Sequence, residues 1–258
     1  MFEKVRTHTV IIERTAVLAL LLISWETFPR LGLVNPRLFP PLSGVLQHGV
    51  ALLSNPQQVP NGFWTNLGVY LYEILSSFAI IAIVGSITGL VLAVYQGVAK
   101  SAEPIVLALY AIPHIILYPI FLISLGTGEP SKIAYGVFVG LPVMLVSMIA
   151  YAKQLDQTYL KVARVSGASF RQIVAHVVFR AMVPGIVSSL RLGLAGAIVG
   201  ITVAELIAST AGMGFMLGWA TYFSFGNDST LFFLIILIVG IALAINFAYR
   251  TALLRLIK

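Results

Sequence analysis

The sequence predicts an all-α integral membrane protein with six transmembrane helices, a cytoplasmic helical hairpin and a re-entrant segment before the last span. Three observations predict it. The 258 residues are 59% apolar and only 10% charged, against about 45–50% and about 25% in soluble domains. The few charges separate uncharged runs long enough to cross a bilayer core, which needs about 20 apolar residues as helix. The basic residues gather on alternate sides of those runs, as the positive-inside rule requires. Together these exclude an ordinary soluble enzyme, a disordered chain and a nucleic-acid-binding domain, despite the net charge of +7. The absence of cysteine excludes disulfides and thiolate metal sites.

The elements follow in chain order within one domain, 1–258. The first span is expected over 10–29, where only Glu26 is charged between Ala16 and Pro29. No small-x-small cleavage site follows it, so a retained anchor is expected in place of a signal peptide. The outside loop from Arg30 to Phe63 is broken at Pro40-Pro41. Ser43 is an N-cap for a short helix through Leu52, with Val45, Leu46 and Val50 on one side. Such a helix is expected to lie on the outer leaflet. The second, third and fourth spans are expected over 66–99, 104–126 and 133–152. The fifth, 183–205, is interrupted only by Arg191 before Glu205 closes it. The segment 206–227 carries Gly212, Gly214, Gly218 and Gly226 and ends at the polar pair Asn227-Asp228. It is expected to be re-entrant, with irregular backbone shielded by protein. The last span covers 229–250.

The parity of crossings comes from the ends. Lys4, Arg6 and Arg14 precede the first span, and Arg250, Arg255 and Lys258 follow the last. Both termini are therefore expected in the cytoplasm, and the number of crossings is even. Lys100, Lys153, Lys161, Arg164, Arg171 and Arg180 then also lie inside. Arg30, Arg37 and Lys132 lie outside.

The inside loop 153–180 alternates basic residues with apolar ones at helical spacing: Leu160, Ala163 and Gly167, then Phe170, Ile173, Val174 and Val177. This is the pattern of an amphipathic hairpin interrupted at Gly167. The pattern alone leaves two readings open: a basic helix on anionic lipid, and a docking element for a cytoplasmic partner.

Within this loop, Tyr159-Leu160-Lys161-Val162-Ala163-Arg164-Val165-Ser166-Gly167-Ala168-Ser169 resembles the Glu-Ala-Ala, three residues, Gly signature of bacterial ABC importer permeases. Val183-Pro184-Gly185-Ile186 through Leu192, and Ala204-Glu205-Leu206, are similar to the nitrate/sulfonate/taurine/bicarbonate branch. So are Trp25-Glu26, Phe39-Pro40-Pro41-Leu42-Ser43, Ile112-Pro113 and Gly126-Thr127-Gly128-Glu129-Pro130-Ser131-Lys132. The resemblance runs from about Trp25 to Tyr249. Departures are Lys161 for the motif's Glu, Val162 for its first Ala, Arg180 for a proline and Glu73 for a basic residue.

The resemblance implies the type I ABC importer permease fold. It implies a coupling helix in which Ala163, Ala168 and Phe170 fill a cleft on a cytoplasmic ATPase. Arg164 and Arg171 would pair with acids at the rim of that cleft, and Gly167 makes the turn. It further implies two copies of that ATPase, a second and identical permease chain, a periplasmic or lipid-anchored substrate-binding protein, and a place for this chain in the bacterial inner membrane. The chain has no Gly-x-x-x-x-Gly-Lys-Ser/Thr loop, so ATP and Mg are expected on the partner ATPase, and no catalytic residue is expected here. The solute implied is a small anion resembling nitrate, sulfonate or bicarbonate.

Charges inside the membrane cost about 2.5–3.5 kcal/mol at the centre on insertion scales. Arg191 therefore needs a partner: Glu73 on the second span is the candidate, with a backbone carbonyl or the inner interface as alternatives. Glu205 closes the fifth span, either fixing the re-entrant turn or serving as a gate contact. Ser209, Thr210, Gly212 and Met213 are candidates for the translocation path, offering hydroxyls, backbone N–H groups and an apolar gate, and Glu73, Arg191 and Glu205 are candidates for the same path. Gly193, Gly196 and Gly200 share one helical face, which suits either helix packing or a pore wall. His114 beside Pro113 suits a hydrogen-bonded side chain at a kink, or a proton relay. No metal-ligand cluster, carboxylate pair or Ser/His/Asp arrangement appears. The rival class is an ion-coupled secondary transporter with a broken-helix midplane site. That class calls for an internal repeat and coupling-ion ligands, and neither is evident.

Overall fold

In the computed structural model, every regular element among the described residues, 2–223 and 228–256, is helical. In chain order the α-helices are α1 (Phe2–Arg30), α2 (Leu42–Ser54), α3 (Phe63–Val94), α4 (Gln96–Ala111), α5 (Tyr118–Leu125), α6 (Glu129–Gln154), α7 (Gln157–Val165), α8 (Phe170–Gln172), α9 (Phe179–Ile207), α10 (Met213–Phe223) and α11 (Ser229–Leu256), with 3-10 turns at Pro56–Gln58 and His114–Leu117. A π-helical stretch, Ile173–Val178, joins α8 to α9, so Phe170–Ile207 runs as one 38-residue helix. Residues 224–227 at the end of the expected re-entrant segment, and Lys258, lie outside the described residues. So do the side chains of Lys4, Arg6, Arg250 and Arg255.

Four of these helices are long and apolar enough to cross a membrane: Phe63–Val94, Glu129–Gln154, Phe170–Ile207 and Ser229–Tyr249. The pair Gln96–Ala111 and His114–Leu125, bent by 84°, brings the number to five if it is one broken span. The expected span 66–99 thus breaks at Tyr95, and α4 begins at the next residue. The expected span 104–126 is not one straight helix. Pro113 has no N–H to donate and holds Ile112 extended at φ −65° and ψ 133°, so the helix ends there. The length of an uncharged run does not carry this change of direction.

Contacts divide the chain into two units. The first comprises Met1–Trp64 and Met216–Ile238. Its anchor is aromatic: Trp25, Phe39 and Phe232 form a ring cluster with centroids 5.3–6.0 Å apart. The Trp25 indole donates to the Pro40 carbonyl at 3.1 Å. Ser43 does not cap α2. Pro41 stands at the cap with no side-chain bond. Ser43 instead donates its backbone N–H and its hydroxyl to Glu26, at 2.9 and 2.8 Å, and accepts from Arg30 at 3.0 Å. A charged acceptor on α1 outcompetes a local cap. The helix buries Val45, Gly49 and Leu52, and Leu46 and Val50 face outward. Gly49 admits the Phe233 ring where a Cβ would otherwise stand.

The second unit comprises Thr65–Phe215 and Val239–Lys258. Its centre is the packing of α6 on α9. A Cβ on Gly196 would stand 2.6 Å from the Gly140 Cα, and one on Gly200 2.9 Å from the Gly136 Cα. The glycine face of α9 therefore serves close helix packing, the first of the two readings given above. Ile81, Met144, Met148 and Ala197 form the core there, and the same cluster continues into Leu160, Ile173, Val178 and Met182. The hairpin and the membrane helices thus share one core.

Candidate functional site: the helical hairpin and the buried polar cluster

The hairpin is built by its caps. Asp156 accepts from the Thr158 N–H at 2.8 Å and starts α7. That N–H, with Lys161 nearby, holds the Asp156 carboxyl below the usual aspartate range. The end of α7 is a Schellman closure. Gly167 N–H donates to the Arg164 carbonyl at 3.1 Å and Ala168 N–H to the Ala163 carbonyl at 3.0 Å, with Gly167 left-handed at φ +75°. The next helix opens with a reciprocal capping box between Ser169 and Gln172.

These caps sort the side chains into two faces. Leu160 and Ile173 are buried, and Ala163 and Ala168 are half-buried against the same core. Val162 and Val165 are 59% and 89% exposed, and Arg164 and Arg171 are exposed as well; Phe170, 57% exposed, has its ring 6.3 Å from that of Tyr95, just past the end of α3. The outward face is therefore apolar and basic together. Counting periodicity alone missed Val162 and Val165, because the positions at helical spacing from Leu160 face the chain's own core.

The second constellation lies where α9 ends. Glu205 is 1% exposed and Glu73, from α3, is fully buried. Gly214 N–H donates to Glu205 at 2.7 Å, and Gly212 N–H donates to the Asn66 side chain at 2.8 Å. Ser209 donates to the Ala211 carbonyl at 2.6 Å and accepts from Lys132 at 3.1 Å. Tyr70 and Thr202 share a hydrogen bond of 2.8 Å. Met213 is fully buried beside this turn.

Glu73 is ion-paired with Lys132, which is 3% exposed. The structure thus replaces the expected partner, Arg191. Arg191 is exposed and donates to Asn246 at 3.4 Å. Glu73, Glu205, Ser209, Gly212 and Met213 are brought together, and Arg191 stands apart from them. Lys132, Asn66 and Tyr70 were not legible as members. The one signal for Lys132 was its place in the stretch Gly126–Lys132. His114 lies just past Pro113, its ring 5.6 Å from that of Phe138. Among the described residues no group of three acidic or histidine side chains is placed to hold a metal.

Residues 81–256 match the family described as "Binding-protein-dependent transport system inner membrane component". The chain is 30% identical over 200 residues to the taurine transport system permease protein TauC of Escherichia coli (strain K12), covering 77% of this chain and 72% of that protein. It is 28% identical over 230 residues to the putative aliphatic sulfonates transport permease protein SsuC of Bacillus subtilis (strain 168), covering 86% and 79%. It is 27% identical over 216 residues to the nitrate import permease protein NrtB of Synechocystis sp., covering 82% and 77%. Among solved structures, a chain of the MetNI methionine ABC transporter in inward-facing conformations superimposes with a TM-score of 0.59 at 20% identity. That superposition covers 73% of this chain and 94% of that chain.

Proposed function

The chain belongs to the family of binding-protein-dependent transport system inner membrane components, and from that premise we propose that it is the membrane permease of an ATP-driven importer for a small anionic solute. The hairpin carries the proposal. It exposes Val162 and Val165 together with Arg164 and Arg171. An apolar centre rimmed by charge suits a protein groove better than a lipid surface. Ala163, Ala168 and the Gly167 turn hold that face on the core it shares with α6 and α9. A displacement of the hairpin by ATP-driven closure of its partner is then passed to the spans as packed helix.

On this reading two copies of a cytoplasmic ABC ATPase bind ATP and Mg and dock on two permease chains, identical to one another. A periplasmic or lipid-anchored binding protein delivers solute from outside. The chain crosses the bacterial inner membrane six times, with α1 and the bent α4–α5 pair each counted as one span and both termini in the cytoplasm. The turn carrying Ser209, Gly212 and Met213 forms a wall of the path. Glu73 and Glu205 fix it from behind, and Arg191 supplies an exposed cation for an anion. The relatives named for taurine, aliphatic sulfonates and nitrate support a sulfonate or a small oxyanion as solute.

Reconstitution tests this. Vesicles holding the chain with its ATPase and binding protein should accumulate a short-chain sulfonate or nitrate only when ATP is inside. Uptake by the chain alone, driven by an ion gradient, would overturn it.

A further inference from the structure

We propose that Glu73 and Glu205 form a proton-binding site, one proton being shared between their two carboxyl groups so that the cluster they make with Lys132 is electrically neutral. Three helices bring one ionisable side chain each to this point, and the fully buried Glu73, Lys132 and Glu205 have almost no surface left. The bonds around them are uneven. Lys132 pairs with Glu73 and donates to Ser209. One Glu205 oxygen accepts from Gly214 N–H. The other Glu205 oxygen is buried with no hydrogen-bond donor directed at it, and neither Glu73 oxygen has one beyond the ion pair. The two carboxyl groups lie within hydrogen-bonding reach of each other.

Charge counting decides what sits between them. Two carboxylates and one ammonium leave one negative charge, and a buried uncompensated carboxylate is strongly unfavourable. The other titratable groups facing the cluster are the phenols of Tyr70 on α3, Tyr118 on α5 and Tyr135 on α6, with Glu129 at the first turn of α6. None is cationic. From α10 the Gly214 N–H reaches Glu205. A single proton resolves both deficits. It gives one carboxyl an O–H donor for the oxygen facing it, and it reduces the charge of the pair to the one that Lys132 balances. The same proton leaves Glu205 seated against Gly212 and Gly214 in a neutral cluster.

The test is infrared spectroscopy of the full chain in lipid vesicles at neutral pH, in H2O and D2O. Among the described side chains, the carboxyls of Glu13, Glu26, Glu103, Glu129, Asp156 and Asp228 are all more exposed than this pair. The wild type should show a protonated-carboxyl C=O band that shifts in D2O. The band should disappear in both Glu73→Gln and Glu205→Gln, because the remaining carboxylate is then matched one to one by Lys132. In Lys132→Met the band should grow about twofold, since both carboxyls must then be neutral. Absence of the band from the wild type overturns the proposal, whether or not any variant folds. So does its persistence in Glu205→Gln. A wild type lacking the band but stabilised by sodium would assign the site to a metal cation and also overturn it.

Discussion

A Cβ on Gly212 would fall on the Glu205 carboxylate, and Gly212 holds φ at +112°. The two residues therefore fit only in their present combination: a side chain that ends a helix, and a glycine that leaves it room. This is the physical reason that the turn before α10 is glycine-rich.

Gly212→Ala should accordingly lower stability by about 1–3 kcal/mol through backbone strain, and the displaced Glu205 should abolish transport. Thermal unfolding in detergent and solute uptake by vesicles check the two effects. Wild-type uptake in the alanine variant would show that the turn does not line the path.

The glycine seam between α6 and α9 predicts a different pattern. Gly196→Val should destabilise the chain by about 1–3 kcal/mol through overpacking against Gly140. Gly97→Val, at a position with no neighbour within 4 Å, should cost no more than ordinary helix propensity. The midpoints of the two variants, measured side by side, test whether the seam is packing.

The Asp156 cap predicts a pH dependence. A carboxyl held low in the folded state contributes its full stabilisation above the ordinary aspartate value of about 3.9 and loses it as pH falls through its own lower value. Hydrogen-exchange protection of α7 should therefore fall on strong acidification. Asp156→Ala should lose that protection at neutral pH already, whereas Asp156→Asn should keep most of it.

The two faces of the hairpin predict opposite phenotypes. Val165→Glu, on the outward face, should leave the fold intact and weaken ATPase association by about 2 kcal/mol, as loss of one central contact does. Leu160→Glu, which puts a charge in the shared core, should unfold the hairpin itself. Size-exclusion profiles with pull-down of the ATPase separate the two. Equal pull-down by Val165→Glu and wild type would move the interface elsewhere.

Much of this was legible in the chain. Sparse charge marked the apolar helices, and the turn at Gly167 stood out because helical periodicity stops there. The glycines of 206–227 marked the irregular segment. What stayed hidden was pairing at a distance. Lys132 sits among loop residues in sequence, and only the packing of α6 against α3 turns its side chain onto Glu73. Ser43 carried a sound local signal for a cap, yet Glu26 on another helix was the stronger acceptor. Arg191 was expected to need a buried acid, but its place on α9 leaves it exposed, with Asn246 sufficient. Local rules describe the helices well, and tertiary partners decide the polar groups.

The most direct measurement of the central claim is purification of the tagged chain from its host membrane in mild detergent, with identification of every protein that accompanies it. The account predicts an ABC ATPase in equal amount, and its loss from Val165→Glu purified in parallel. Recovery of the wild-type chain alone, under conditions that keep other importers assembled, would contradict it.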